Sequence, residues 1–289
     1  MIENSSPVII RTMNLNDIEK CMLLSQAEGW NQSENDWKRL ADNPNNSCFV
    51  AEHDHLIIGT ATAINYANQI AWIGMMLVHK DYRGQGISKM LLSVLLDQLK
   101  SCISVKLDAT PAGQPVYNKF GFEYEYIIYR LTTSSLDNFQ PYKSGIIPKQ
   151  ILLSDISGVT ALDSSVFGTG REYLLKSLIK ENPDKALMIK MNERITAFLL
   201  GRQGRKYQQI GPVSASSMEA AKVLISNTLL RLVGKPVVVD VPEDKKELIL
   251  WLNSLGFISQ RHFVRMYLQT NPCPGVRENQ FLVCGPEFG

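Results

Sequence analysis

The sequence predicts an α/β protein made of two domains in tandem, and three observations carry that expectation. Its 289 residues exceed one ordinary domain of about 100–200 residues. Apolar patterns of strand and helix type alternate through the first half. Three short segments of that half reappear in the second, in the same order and at nearly one offset of about 135–138 residues. Asn16-Asp17-Ile18 is matched by Ser154-Asp155-Ile156, and Ile73-Gly74 by Ile210-Gly211. Tyr117-Asn118-Lys119-Phe120-Gly121-Phe122 is matched by Leu252-Asn253-Ser254-Leu255-Gly256-Phe257.

The elements of the first half read in order. Residues 8–12 form a short β-branched strand. Asn14 or Asn16 then caps a helix whose apolar positions include Ile18, Met22 and Leu23. Residues 47–51 and 56–64 are strands joined by the polar turn Glu52-His53-Asp54-His55, so they form a hairpin. Residues 71–78 are a continuous apolar run of strand length, followed by a polar loop over 79–86. A helix runs over 87–100, with Ile87, Leu91, Val94, Leu95 and Leu99 recurring mostly at steps of three and four. A strand over 105–107 and a short helix over 115–119, ended by Gly121, come next. A β-rich run over 124–131 closes the half, and the polar stretch 132–145 reads as a linker.

Composition bounds the function. Lys and Arg number 30 against 28 Asp and Glu, a net charge of +2, which carries no footprint for a nucleic-acid partner. An apolar fraction of 45% with 20% charged residues fits ordinary globular domains. No stretch approaches about 18 apolar residues, so no membrane partner is expected. The N-terminus lacks a basic region followed by a long apolar run, so no signal peptide is expected. Cys21, Cys48, Cys102, Cys273 and Cys284 form neither a CxxC pair nor a Cys/His ligand spacing. Free thiols in a reducing cytoplasm follow from that pattern. His53, Asp54 and His55 read as a polar hairpin tip, and no metal site is expected.

The informative segment is Leu77-Val78-His79-Lys80-Asp81-Tyr82-Arg83-Gly84-Gln85-Gly86-Ile87-Ser88, a strand, a glycine-bearing loop and a helix start. A helix N-terminus presents unpaired N–H groups and the positive end of the dipole, which suits phosphate. Gly84 and Gly86 let an anion approach the backbone, and Arg83 adds a charged donor. The loop fits neither the G-x-x-x-x-G-K-S/T nor the G-x-G-x-x-G pattern, which excludes the common nucleotide loops.

Arg83-x-x-Gly86-x-Ser88 resembles the Gln/Arg-x-x-Gly-x-Gly/Ala signature of the GNAT superfamily of N-acetyltransferases, with Ser88 in place of the preferred Gly or Ala. Tyr117-x-x-x-Gly121-Phe122 resembles the family's Tyr-x-x-x-Gly-Phe segment. Thr110 stands where many members carry Asn, seven residues before the Tyr. The resemblance covers residues 8–131. Val166-Phe167-Gly168, Ile210-Gly211-Pro212, Val239-Asp240-Val241-Pro242 and Gly285-Pro286-Glu287 are similar to the second, GNAT-like domain of bacterial two-domain proteins.

The resemblance implies tandem GNAT-like domains, 1–135 and 146–289, each a twisted, mostly antiparallel mixed sheet flanked by helices. It implies acetyl-CoA as cosubstrate. The strands over 71–78 and 105–107 splay, and the pantetheine arm pairs with backbone at Leu77 and Val78. The pyrophosphate rests on amides of Arg83, Gly84, Gln85, Gly86, Ile87 and Ser88. A backbone N–H of the splayed strand polarises the thioester carbonyl, and Tyr117 is the general acid. Glu28 and Trp30 lie where the family shapes the acceptor pocket. Glu28, Asp108 and a water chain all stay open as the base.

The acceptor implied is an amine of a small molecule or peptide, with a protein Lys or N-terminus as an alternative. A reading of another class is a non-catalytic acyl-CoA sensor. The second half lacks the Arg and the paired glycines. It carries Glu219 near the helix start and Leu252 in place of Tyr117. It is expected to bind no CoA and either to wall the acceptor site or to mediate homodimer contacts. Arg171, Asp240, Trp251 and Arg261 read as surface or packing groups.

Overall fold

The computed structural model of the chain describes residues 7–136 and 139–289. Residues 1–6, which carry part of the signal-peptide expectation, and residues 137–138, inside the expected linker, lie outside the described residues. The chain divides into two compact units, Met1–Lys106 and Leu107–Gly289.

The first unit is an antiparallel sheet with helices. β1 (Ile9–Thr12) pairs with β2 (Ser47–His53), β2 with β3 (Leu56–Tyr66), and β3 with β4 (Ile70–Val78). The β2–β3 turn works because Asp54 and His55 both adopt left-handed backbone, φ 47° and 63°, the requirement of a tight hairpin. Ahead of α1 (Ile18–Ala27), Asn14 is the cap: its side chain accepts from the Asn16 N–H at 2.9 Å, and its own N–H donates to Asp17 at 2.9 Å.

Helix α2 (Glu34–Ala41) is an element the apolar periodicity did not bring out. Ser33 and Asp36 form its capping box, and it buries Trp37 and Leu40. Helix α3 (Ile87–Gln98) lays Ile87, Leu91, Leu92 and Leu95 onto the sheet. Gly59 permits that approach. A Cβ there would stand 3.0 Å from Leu91 Cδ1 and 3.1 Å from the Leu77 carbonyl oxygen. Strand β5 (Ser104–Ala109) begins in the first unit and ends in the second.

The second unit repeats the first half's order of elements and adds to it. After α4 (Gln114–Lys119) and β6 (Phe122–Thr133) come β7 (Lys149–Gln150), α5 (Ile156–Phe167), α6 (Glu172–Glu181), β8 (Leu187–Met191), β9 (Arg194–Gln203) and β10 (Gln208–Ala215). Then follow α7 (Met218–Leu230), β11 (Val237–Pro242), α8 (Lys246–Ser254), β12 (Ile258–Leu268) and β13 (Gln280–Leu282). From β7 to β12 the series strand, two helices, three strands, helix, strand, helix, strand is that of β1 to β6. This is the duplication that three short sequence matches indicated.

The second unit's strands run β12-β6-β11-β10-β9-β8-β7, with β13 against β10. The paired neighbours are antiparallel except β10 with β11, which are parallel. β6 is thus held between β11 and β12, so the last strand of the first half is inserted in the sheet of the second. For that reason the compact units part at Lys106, ahead of the polar stretch.

From Phe139 onward that stretch is packed rather than a free linker. Phe139, Tyr142 and Ile146 pack on the second unit's apolar core, and Tyr142 meets Trp251 edge-on, with ring centroids 6.1 Å apart. The Tyr142 N–H donates to Ser226 Oγ at 2.7 Å.

Candidate active site

Strand β4 carries an irregularity at its centre. Thr62 faces Gly74 and Thr60 faces Leu77, so Met75 and Met76 together oppose the single residue Ala61. This is a β-bulge, and Met75 takes a positive φ of 49°. Thr60 Oγ1 donates to the Met75 carbonyl at 2.7 Å, and Thr62 Oγ1 donates to the Gly74 carbonyl at 3.1 Å. The bulge takes one residue out of the ladder, which frees backbone at that point for another partner.

Past the bulge, Leu77 is buried and Val78 half-buried, and the chain turns through 79–86 into α3. Gly84 and Gly86 both adopt left-handed backbone, φ 79° and 82°, and a Cβ at either would meet nothing within 4 Å. The glycines therefore serve the turn and leave open space above it. Gly86 is the cap residue of α3 and supplies no side-chain acceptor, so the first-turn amides of Ile87 and Ser88 are not covered by a cap. The Ile87 side chain itself points into the core, 2% exposed, which anchors that first turn. Arg83, Gly84 and Gln85 are exposed, and Gly86 and Ser88 are half-buried.

Arg83 does not project freely. Its Nη2 donates to Glu28 Oε1, and its Nε donates to the Val78 carbonyl at 3.1 Å. The guanidinium thereby ties the loop before α3 to the loop after α1. Glu28 sits at the C-cap of α1, where Gly29 takes φ 67° and closes the helix. The Trp30 N–H then returns to the Ser25 carbonyl at 2.9 Å, leaving the Trp30 ring half-buried. The sequence expectation brought Glu28, Trp30, Leu77, Val78 and residues 83–88 to one functional region, and all of them lie in the first unit.

Tyr117 and Asp108 belong to the second unit. Tyr117 lies on α4, 8% exposed, with its ring edge-on to Phe122 at 5.8 Å between centroids. Burial raises its phenol above the ordinary value of 10.0, so it holds its proton at neutral pH. Gly113 makes room for it, since a Cβ there would stand 3.2 Å from Tyr117 Cε2. Thr110, where family members often carry Asn, accepts from the Gly113 N–H through Oγ1 at 3.2 Å and so shapes the turn before α4.

Asp108 is not available as a free base. Its carboxylate is clamped by Arg265, with Nε to Oδ1 at 2.8 Å and Nη2 to Oδ2 at 2.9 Å, and its side chain is 1% exposed. Arg171 and Asp240 are likewise core groups rather than surface ones. Arg171 grips Asp163 at 2.7 Å and 3.0 Å, and Asp240 is gripped by Arg130 with both bonds at 2.7 Å.

The second half has the same scaffold with different chemistry. β10 bulges where Gly211 and Pro212 oppose Leu200, and Pro212 has no N–H to offer. At the start of α7, Ser217 caps with its own hydroxyl, accepting from the Ala220 N–H at 3.2 Å. Glu219 lies in the first turn and accepts from Ser144 Oγ at 2.8 Å. Leu252, at the position of Tyr117, is fully buried.

A bulged strand leads through paired glycines into an uncapped helix on a duplicated α/β scaffold, an arrangement suited to an anionic ligand, and the matches to known proteins make the chain an acyltransferase. The chain belongs to the GNAT acetyltransferase family, as a tandem protein. Residues 44–124 match one acetyltransferase (GNAT) domain model and residues 159–282 match another. The chain is 26% identical over 187 residues to the uncharacterised N-acetyltransferase YitH of Bacillus subtilis (strain 168). That match takes 64% of this chain and 65% of YitH, just under two thirds of its length. It is 24% identical over 250 residues to the holothin acyltransferase of Pseudoalteromonas sp. (strain SANK 73390), 85% of this chain and 83% of that protein.

Among solved structures, a candidate acetyltransferase from Pyrococcus horikoshii superposes with a TM-score of 0.80 at 21% identity, over 100% of this chain and 99% of that one. A tandem GNAT protein from the clavulanic acid biosynthesis pathway superposes with a TM-score of 0.65 at 12% identity, over 92% and 99%. These structural likenesses show the fold. Among the described residues, no helix is long and apolar enough to cross a membrane.

Proposed function

We propose that the first GNAT domain transfers an acetyl group from acetyl-CoA to an amine of a small molecule or peptide in the cytoplasm. The observation that carries this reading is the start of α3. Left-handed Gly84 and Gly86 face open space, no cap side chain competes, and Arg83 stands beside them. Such a terminus suits the pyrophosphate of CoA.

The residues divide the work as follows. Amides of Gly84, Gln85, Gly86, Ile87 and Ser88, with the Arg83 guanidinium, hold the diphosphate. Leu77 and Val78 offer backbone to the pantetheine amides. The bulge at Met75 and Met76 provides a backbone N–H for the thioester carbonyl, where negative charge grows as the amine adds. The new C–N bond forms, the C–S bond breaks, and Tyr117 gives its proton to the departing thiolate. Its phenol carries that proton at neutral pH. The amine's surplus proton leaves through Glu28 or water, since Asp108 is committed to Arg265. Trp30, half-buried in the same loop as Glu28, gives the acceptor an apolar wall.

The test is release of free CoA from acetyl-CoA in the presence of a mixed amine library, with the acylated amine identified by mass. Binding of acetyl-CoA with no CoA release from any amine would favour a sensor and sink the enzymatic reading.

A further inference from the structure

In the second half, β10 and β11 run side by side only from Gln208 with Val237 to Ile210 with Val239. Beyond that point β10 pairs with β13 instead, Val213 opposite Leu282 and Ser214 opposite Gln280. The Val283 N–H reaches the other wall and donates to the Asp240 carbonyl of β11 at 3.0 Å. Residues 280–283 therefore lie as a strand in the wedge between two parting parallel strands. By the duplication, β10 and β11 correspond to β4 and β5 of the first half.

We propose that residues 280–283 are the resident occupant of the second half's cofactor slot, an extended peptide standing where the first half takes an extended pantetheine arm, and that the turn over 284–289, closed by the Phe288 and Gly289 N–H groups on the Gly285 carbonyl, anchors it. This rests on the reading that pantetheine pairs with β4. The chemistry of the substitution is direct. Pantetheine carries two amides along an extended chain, so what pairs with it at a strand edge pairs equally with a peptide strand.

The segment is held at the slot and beyond it. A Cβ on Gly211, at the bulge, would stand 2.1 Å from the Val283 carbonyl oxygen, so the tail runs against the point where the first half presents its bulge. Further along, Arg202 donates to the Cys284 carbonyl and to the Glu287 carboxylate, both groups buried. Arg171 donates to the Gly289 carbonyl at 2.8 Å while holding Asp163. Gln280 accepts from the buried Tyr126 hydroxyl at 2.9 Å. The diphosphate end is closed separately by the Ser217 cap and by Glu219 with Ser144. Buried charge pairs of this kind hold only if both members stay together, so the tail is fixed rather than exchanging with a ligand.

Two measurements on the full chain test this. In hydrogen exchange, the amides of Leu282 and Val283 should be as slow as those of β10 around Val213, with and without excess acetyl-CoA. Calorimetric titration with acetyl-CoA should give one site per wild-type chain and none for Gly86→Trp. A chain lacking residues 280–289 should lose protection at Val213 and Ser214, and a synthetic peptide of residues 280–289 should restore it. Fast exchange of the tail, its release by acetyl-CoA, or a site surviving in Gly86→Trp would overturn the proposal. Absence of any site in the wild type would overturn the proposed function alone, because a protected, ligand-indifferent tail would still support its residence.

Discussion

The Arg83 guanidinium and the Glu28 carboxylate, 55 residues apart in sequence, are joined in a direct ion pair that links the loop before α3 to the loop after α1. The same Arg83 donates through Nε to the Val78 carbonyl, so one side chain touches the end of β4 and the loop that carries Trp30. The pair is partly exposed, so it contributes only about 0–1 kcal/mol to folding. Its consequence is for function.

Replacing Glu28 by Gln should leave the melting temperature nearly unchanged and should not weaken acetyl-CoA binding, because Arg83 gains freedom to serve the diphosphate. Turnover should fall by about tenfold or more if Glu28 also handles the acceptor's proton. Arg83→Ala should do the reverse. Loss of a charge-assisted hydrogen bond worth roughly 1.5–3 kcal/mol predicts a KM for acetyl-CoA about 10–100 times higher. Steady-state kinetics on both variants reads the split, and equal effects on kcat and KM in both would refute these separate roles.

The loop glycines give a prediction that needs no acceptor. Gly86 adopts φ 82°, which any side chain finds strained, and a bulky group there projects into the open space over the α3 amides. Acetyl-CoA at a hundred times its Kd should stabilise the wild type by about 2.7 kcal/mol. Gly86→Trp should melt at the same temperature with and without ligand. A ligand-induced shift of equal size in that variant would place the binding site elsewhere.

Much of this region was legible in the sequence, and the reason is local. A strand, a glycine turn and an amphipathic helix each write their own period and punctuation, so β4, Gly84, Gly86 and α3 could be read directly. Helix α2 escaped because its signal is a capping box, Ser33 with Asp36, followed by only two core residues, Trp37 and Leu40. The bulge at Met75 escaped because a bulge inside an apolar run leaves no mark in residue type. Pairings across long separations were also invisible. Asp108 looked like a candidate base until Arg265, 157 residues away, was found on it. The strand order β12-β6-β11 and the seating of β13 on β10 have the same character, since a strand's sequence does not name its neighbour.

Tyr117 yields a kinetic and a pH prediction. Tyr117→Phe keeps the ring against Phe122 and removes the hydroxyl, so turnover should drop by roughly 10²–10⁴ with little change in cofactor affinity. Because burial raises the Tyr117 phenol, the wild-type rate should show no alkaline loss from this group near pH 10. Stability behaves differently. Tyr117 and the buried Tyr126 both hold their protons in the fold beyond the ordinary phenol value of 10.0, whereas the unfolded chain releases them there. Above about pH 10 the folded state therefore loses up to about 1.4 kcal/mol per pH unit per tyrosine, and Tyr117→Phe should shallow that decline by one proton. Denaturant melts between pH 8 and pH 11 measure it, and an identical slope in the variant would contradict the assignment.

Asp108 tests the difference between a base and a buried anchor. Asp108→Asn leaves the Arg265 guanidinium without its carboxylate, in a site where both side chains are nearly inaccessible. Breaking a buried pair by removing one partner costs about 3–5 kcal/mol. The variant should thus lose stability by that order while any molecules that stay folded keep a normal pH profile. Full stability together with a lost acidic limb in the rate would return Asp108 to the role of base.

The insertion of β6 predicts how the chain tolerates division. A chain ending after Ser135 retains β6 but removes β11 and β12, the strands on its two sides. Both ladders would be lost at once, from Phe122 opposite Leu268 to Thr133 opposite Val237. The buried Arg130 would also lose Asp240, the carboxylate that compensates its charge. A bare strand with two open edges and freshly exposed Ile128 and Leu131 is a template for aggregation. The truncated chain should accumulate as insoluble material or lack a cooperative melt, even though it contains every residue proposed to touch acetyl-CoA. A soluble, cooperatively melting chain of residues 1–135 that binds acetyl-CoA as tightly as the whole would show that β6 can fold without β11 and β12, and would refute this dependence.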